Sequence, residues 1–171
     1  TLNVSDTVSC RSNRVTFNIG NINLNHIDSI TWFFQELGGY SIPIKVNNAG
    51  MSYGDVGTFH PAVIIKDSLG CLDTLRTTYP LTIYGPQAKF LTAKEGACLN
   101  ETLQFTDQSI SDGIHAITNW QWNYGDNQIA NYTASPFTHA YQQTGTYNVS
   151  LKVTDTFGCT DSINKIQIIT V

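Results

Sequence analysis

Of the residues in this 171-residue chain that could do chemistry, the four cysteines are the most regularly placed. Cys10 and Cys71 are 61 residues apart, and so are Cys98 and Cys159. Thiols spaced in this way serve either oxidative pairing or metal ligation. A structural zinc site brings thiolates together as C-x-x-C pairs or joins them with closely spaced histidines. No C-x-x-C occurs here, and His26, His60, His115 and His139 share no such spacing. The even division therefore reads as two disulfides, Cys10–Cys71 and Cys98–Cys159, with zinc or free thiols as the rival. Each bridge would close a loop of about 60 residues, worth roughly 4 kcal/mol in the chain-entropy account. Disulfides would also place the chain in an oxidising compartment outside the cytosol.

Catalysis asks for a nucleophile, a base and a shaped pocket. The sequence holds no G-x-S-x-G, no H-E-x-x-H and no glycine-rich phosphate loop. Its carboxylates are scattered, mostly among turn residues, so no acid/base pair stands out. The reading is of a chain that is not an enzyme and that carries no cofactor. Nine Lys and Arg against thirteen Asp and Glu leave a net charge of −4, which offers nucleic acid no basic footprint. No run nears the roughly 18 apolar residues of a spanning helix, so membrane insertion is not expected. The first residues, Thr1-Leu-Asn-Val-Ser-Asp6, lack the basic start and apolar run of a signal peptide. With 41% apolar and only 13% charged residues, the chain has enough to bury and is not disordered.

The elements that must position these groups are set by an internal repeat. Sliding the chain on itself by 88 residues superposes Cys10 on Cys98, Phe17 on Phe105, Trp32 on Trp120 and Tyr53 on Tyr141. Gly57-Thr-Phe59 falls on Gly145-Thr-Tyr147, Asp67 on Asp155, Gly70-Cys71 on Gly158-Cys159 and Asp73 on Asp161. Chance does not align Cys and Trp so often in one register. The chain is two copies of one module, 1–85 and 86–171, each small enough for its core alone to be marginal.

Both copies read as strands. Gly145-Thr-Tyr147-Asn-Val149-Ser-Leu151-Lys-Val153-Thr-Asp155 alternates apolar and polar residues with period two, and Phe59 to Asp67 does the same. Pro61, which has no N–H, predicts an edge position or an unpaired stretch there. Asp67-Ser-Leu-Gly70 and Asp155-Thr-Phe-Gly158 predict hairpin turns. Trp120, Trp122 and Tyr124 share one face, expected to be core, with Tyr124 as the residue that could be partly exposed. No window predicts an amphipathic helix. The expected fold is all-β, two tandem Ig-like β-sandwiches. The short Tyr84-Gly-Pro-Gln87 join predicts that they sit end to end as a stiff rod.

The second copy resembles the PKD (polycystic kidney disease) domain family. The resemblance rests on Trp120-Gln-Trp122-Asn-Tyr124-Gly-Asp126-Asn127, on Pro136-Phe-Thr-His139-Ala-Tyr141, and on the strand from Gly145 to Asp155. Asn127 stands where the family usually has a second glycine, a mild change because Asn tolerates positive φ. The first copy departs further: Trp32-Phe-Phe34 is followed by Gln35-Glu-Leu-Gly38-Gly39, and Tyr53 lacks the His two residues before it. It reads as a degenerate PKD-like module. The Gly-Cys-x-Asp-Ser/Thr endings look like tandem PKD repeats of large surface proteins secreted by gliding-type Gram-negative bacteria.

That resemblance implies an extracellular, cell-surface role as a rigid spacer or adhesive repeat in adhesion, surface motility or a filament. The alternative is a spacer or carbohydrate-binding module of a secreted hydrolase. Implied partners are neighbouring repeats of the same polypeptide, further copies of the chain, surface glycans or other cell-surface proteins. The same bacteria attach O-glycans at Asp-Ser/Thr before a small aliphatic residue, which marks Thr7, Ser29, Ser68, Thr74 and Ser162; ordinary turn chemistry is the competing reading. Asn3, Asn100, Asn131 and Asn148 lie in N-x-S/T sequons. Some PKD-like domains bind calcium through loop carboxylates, which makes Asp126 a weak candidate. Only Asn127 clusters with it, far short of six oxygen ligands, so a turn-capping role is favoured. His139 is expected to be a packed or hydrogen-bonded strand residue and not a ligand.

Overall fold

A strand with one face against a core must alternate buried and exposed side chains. In Arg14–Ile19 the buried residues are Val15, Phe17 and Ile19, and in Thr102–Asp107 they are Leu103 and Phe105. The computed structural model describes residues 1–39 and 41–171, and it divides the chain into units Thr1–Tyr84 and Gly85–Val171.

The first unit runs β1 (Leu2–Val4), β2 (Val8–Cys10), β3 (Arg14–Ile19), β4 (Ile27–Phe33), β5 (Ser41–Pro43), β6 (Asn48–Ser52), β7 (Gly57–Phe59), β8 (Ala62–Asp67), β9 (Leu72–Arg76) and β10 (Leu81–Tyr84). These form sheets in the orders β1-β3-β6, β2-β10-β7 and β5-β4-β8-β9. All pairings are antiparallel except β2 with β10, which run parallel. A 3-10 turn at Leu24–His26 is the one helical element among the described residues. At His60-Pro61 the long expected strand breaks. β7 pairs with β10 and β8 with β4 and β9, so the chain changes sheets where proline has no N–H to offer.

The second unit has β11 (Phe90–Thr92), β12 (Thr102–Asp107), β13 (Ile117–Asn123), β14 (Ile129–Tyr132), β15 (Phe137–Ala140), β16 (Thr146–Asp155) and β17 (Thr160–Thr170). Sheet β11-β12-β15 faces sheet β14-β13-β16-β17 across one core. Here β16 is unbroken for ten residues, with Val149, Leu151 and Val153 fully buried. The two units are both Ig-like β-sandwiches.

The repeat holds in structure with one change of register. β3 and β12 keep the 88-residue offset, and so do β8 and the end of β16. The strand between them does not. Trp32 lies opposite Val63, and it is Trp122 that lies opposite the equivalent Leu151. Trp32 stacks on Phe34 at 6.2 Å between centroids and Trp122 on Tyr124 at the same 6.2 Å. Trp122 is therefore the counterpart of Trp32, in place of the Trp120 given by the ungapped slide. The cause is a loop: residues 20–26 join β3 to β4, but the longer stretch 108–116 joins β12 to β13. Tyr124 is also fully buried, and the residue of the stripe left half-buried is Trp120.

Neither expected disulfide forms. Cys71 and Cys98 are exposed free thiols, whereas Cys10 and Cys159 are disulfide-bonded. Topology gives the reason. Cys10 is paired with Tyr84, beyond the Gly57 end of β7, while Cys71 closes the hairpin at the Asp67 end of β8. β8 alone spans about 20 Å of strand. In the second unit, Ala97 bonds Thr170 beside the Thr146 end of β16, whereas Cys159 follows its Asp155 end. Ten residues of strand, about 33 Å, separate those ends. Both spans exceed the roughly 7 Å between Cα atoms that a disulfide allows.

Alkylation of the folded protein, followed by peptide mapping, tests this assignment. Cys71 and Cys98 should be labelled without reductant, and Cys10 and Cys159 only after it. Label on all four, or on none, would show the thiol assignment to be wrong.

Candidate functional site

The sequence-predicted loop of the second unit follows β13. Asn123 Oδ1 accepts from Gly125 N (2.9 Å), Asp126 Oδ1 accepts from Gln128 N (3.2 Å), and Tyr124 N donates to Gln128 O (3.2 Å). Gly125 (φ +84°) and Asn127 (φ +68°) both take the left-handed conformation that the turn needs. At Gly125 there is a second constraint: a Cβ would lie 2.3 Å from the backbone oxygen of Asn148.

The turn aims Asp126 inward. Its Oδ2 is 2.7 Å from His139 Nε2, with both side chains largely buried. The imidazole lies flat on Tyr124 (4.0 Å between centroids, 3° between planes) and edge-on to Tyr141 (4.7 Å, 88°). The Tyr141 hydroxyl then donates to Tyr124 O at 3.0 Å. Among the described residues of the first unit only the last of these contacts recurs, with Tyr53 donating to Phe34 O at 2.6 Å. Burial pushes the phenols of Tyr53, Tyr124 and Tyr141 above the ordinary tyrosine range. The hydrogen bond to Tyr132 adds to this at Tyr124, and the charge of Asp126 adds to it at Tyr141.

Asp126 is therefore committed to a turn and a histidine. It belongs to no group of three metal-ligating side chains among the described residues. The one such group is Asp112, His115 and Asp155, whose donor atoms lie within 4.8 Å of one another. Two concave surfaces flank the second unit. A polar pocket of about 350 Å³ lies beside Asp126, Gln128, Gln142 and Tyr147. A larger groove of about 600 Å³ is lined by Phe105, Asp107, Trp120, Ser135, Pro136 and Phe137, and in it Trp120 Nε1 donates to Asp107 Oδ2 at 2.7 Å. Of the Asp-Ser/Thr residues, Thr7, Ser68, Thr74 and Ser162 are exposed, and Ser29 is half-buried in β4. Sequence reasoning missed Asp112 and His115. They sit in the 108–116 loop, two residues longer than its counterpart in the first unit, and the sequence signal was their three-residue spacing.

The PKD domain family model matches residues 84–171. Among solved structures, the chain is similar to one from a study of carbohydrate-binding modules of the beta-sandwich superfamily and their promiscuous specificity. Identity is 30% over 50% of this chain, with a TM-score of 0.47, and the match takes in 34% of that protein's length. It is also similar to the PKD1 domain of Vibrio anguillarum Epp (24% identity, 51% of this chain, 95% of that one, TM-score 0.42). A third similarity is to the PKD1 domain of the Vibrio cholerae metalloprotease PrtV (30% identity, 50% and 99% coverage, TM-score 0.41).

Two measurements check the geometry of the loop and its clasp. Gly125→Ala should cost at least about 2 kcal/mol more than Gly158→Ala in denaturant unfolding, because Gly158 (φ +91°) has open space around its Cβ position and bears only the conformational strain. Equal costs would mean that the Asn148 approach is not rigid. Three phenols with raised folded pKa values contribute stability that is intact below about pH 10, the unfolded tyrosine value, and is lost as pH rises above it. Unfolding midpoints should accordingly fall above about pH 10, and less steeply in Tyr141→Phe. An unchanged alkaline limb in that variant would count against the burial of Tyr141.

Proposed function

Since the chain belongs to the PKD domain family, we propose that it is an extracellular structural or adhesive repeat module of a bacterial cell-surface protein, acting as a spacer. The observation that carries this reading is how the second unit uses its reactive-looking groups. Asp126 and His139 hold each other, and Trp122 and Tyr124 fill the core, so little that could turn over a substrate is left exposed. A module of this kind is useful for its shape and for the surfaces it presents. The four exposed Asp-Ser/Thr hydroxyls at Thr7, Ser68, Thr74 and Ser162 support a glycan coat of the sort that shields surface proteins from proteolysis. Ser29, half-buried in a paired strand, is the poorest acceptor of the five.

A second reading, a spacer or carbohydrate-binding module of a secreted hydrolase, is favoured by the groove beside Trp120. An indole face with a hydrogen-bonded carboxylate next to it is the kind of surface on which a sugar ring stacks.

The intact size and peptide map of the native parent polypeptide separate the two. A very large parent built of similar repeats, with hexose on the peptides of Thr7, Ser68, Thr74 and Ser162 and none on that of Ser29, is the expected result. A parent with one catalytic domain beside this pair would overturn the surface-repeat reading in favour of the hydrolase.

A further inference from the structure

We propose that Asp112, His115 and Asp155 form a binding site for a divalent first-row transition ion of the zinc class. The site lies wholly within the second unit and stands apart from the role proposed above.

The donors come from two loops. Asp112 and His115 sit in the 108–116 loop, and Asp155 ends β16 at the hairpin. The side chain of Asp112 is 1% exposed and that of His115 19%, and Asp155 as a residue is 3% exposed. Asp112 Oδ1 accepts from the backbone N–H groups of Ile114 (2.9 Å) and His115 (2.7 Å). Its Oδ2 accepts from Gly85 N (3.0 Å) and lies 2.8 Å from His115 Nδ1. Asp155 Oδ1 accepts from Phe157 N (3.0 Å) and Cys159 N (2.8 Å). That leaves Asp155 Oδ2, which is buried and has no hydrogen-bond partner. A buried carboxylate oxygen left in this state costs more than it returns unless something positive or protic completes it.

The charge balance points to a cation. Two buried carboxylates lie within 4.8 Å of each other, and neither forms a salt bridge to Lys or Arg among the described residues. Hydrogen bonds from the backbone N–H groups of Ile114, His115 and Gly85 hold the Asp112 carboxylate in place beside Asp155. A divalent ion taking the place of the proton between Asp112 Oδ2 and His115 Nδ1 would complete Asp155 Oδ2 and neutralise both anions.

The donor set chooses the class of ion. One imidazole and two carboxylates suit zinc, nickel or copper, and calcium asks for six to eight oxygens. Donors around a tetrahedral zinc sit roughly 3.4 Å apart. The three side chains need only draw together modestly to reach that spacing. The first unit lacks the site: after allowing for the register change, Ile22 and Asn25 stand where Asp112 and His115 do.

The test is titration of the full chain carrying Cys71→Ser and Cys98→Ser, which removes the free thiols as rival zinc ligands. Cobalt(II) should bind once per chain with visible d–d absorption, zinc should displace it, and zinc at a hundredfold excess over its Kd should raise the unfolding midpoint by roughly 5–10 °C. In the same background, His115→Ala should weaken binding at least tenfold. His115 is partly exposed but stacks on Phe157 of the Asp155 turn (4.9 Å between centroids), so far-UV circular dichroism and the metal-free unfolding midpoint check that the variant keeps its fold. Absence of cobalt or zinc binding would overturn the proposal. So would equal affinity in His115→Ala, or a calcium affinity matching that for zinc and indifferent to His115.

Discussion

One tryptophan at the centre of each sandwich organises the rest. Trp122 is fully buried among Phe90, Phe105, Tyr124 and Phe137, at centroid distances of 5.0 to 6.2 Å. Its indole N–H has no acceptor, and neither does that of Trp32 in the other unit. An orphaned buried donor costs about 1–3 kcal/mol. Burying an aromatic of this size outweighs that cost through area and through the tilted and edge-on ring contacts. A module of under 90 residues has few such residues to place. Once Trp122 is fixed on β13, Tyr124 must point inward as well, and its carbonyl is then carried to where Tyr141 can donate to it. The hydroxyl-to-carbonyl bond ties the end of β13 to the stretch after β15, which belongs to the opposite sheet.

The same constraint explains how the two units differ. The first closes its core with Tyr53 donating to Phe34 O and leaves the neighbouring turn without the histidine clasp. The second adds Asp126 and His139 around the same bond. The bond spans 19 residues in the first unit and 17 in the second. The second unit thus regains, between β13 and Tyr141, the register that its longer 108–116 loop had shifted. Two compensating length changes leave the core contacts of both units alike and move only the loops.

That compensation marks what the sequence could disclose. Strand type, the turns closed by Asp67 and Asp155, and the sandwich class follow from period-two alternation and turn chemistry, and all are present. The 88-residue spacing is real for Cys10 and Cys98, Phe17 and Phe105, and Tyr53 and Tyr141, because these residues lie outside the shifted segment. It misassigned Trp32 because a slide without gaps cannot see an insertion that a later deletion cancels. The disulfides failed for a different reason. Equal spacing along the chain was taken as nearness in space, yet in a sandwich about 60 residues carry the chain back and forth across the sheets and can end at either rim. Nothing in the spacing tells the two rims apart.

The clasp and the acidic cluster show two ways in which a polar group can be kept inside so small a module. Asp126 is satisfied entirely by its own turn and by His139, so its charge has local partners and the residue is spent on structure. Asp155 uses one oxygen in the same way, on the N–H groups of its hairpin, and the equivalent Asp67 does likewise in the first unit. What differs is the surrounding loop. Around Asp67 the loop is short and the carboxylate is only half-buried. Around Asp155 the longer loop folds Asp112 and His115 over the free oxygen and removes it from water without supplying a donor. A structural turn thereby holds a buried carboxylate oxygen with no hydrogen-bond partner, and the difference between the two outcomes lies in loop length, with the turn itself unchanged.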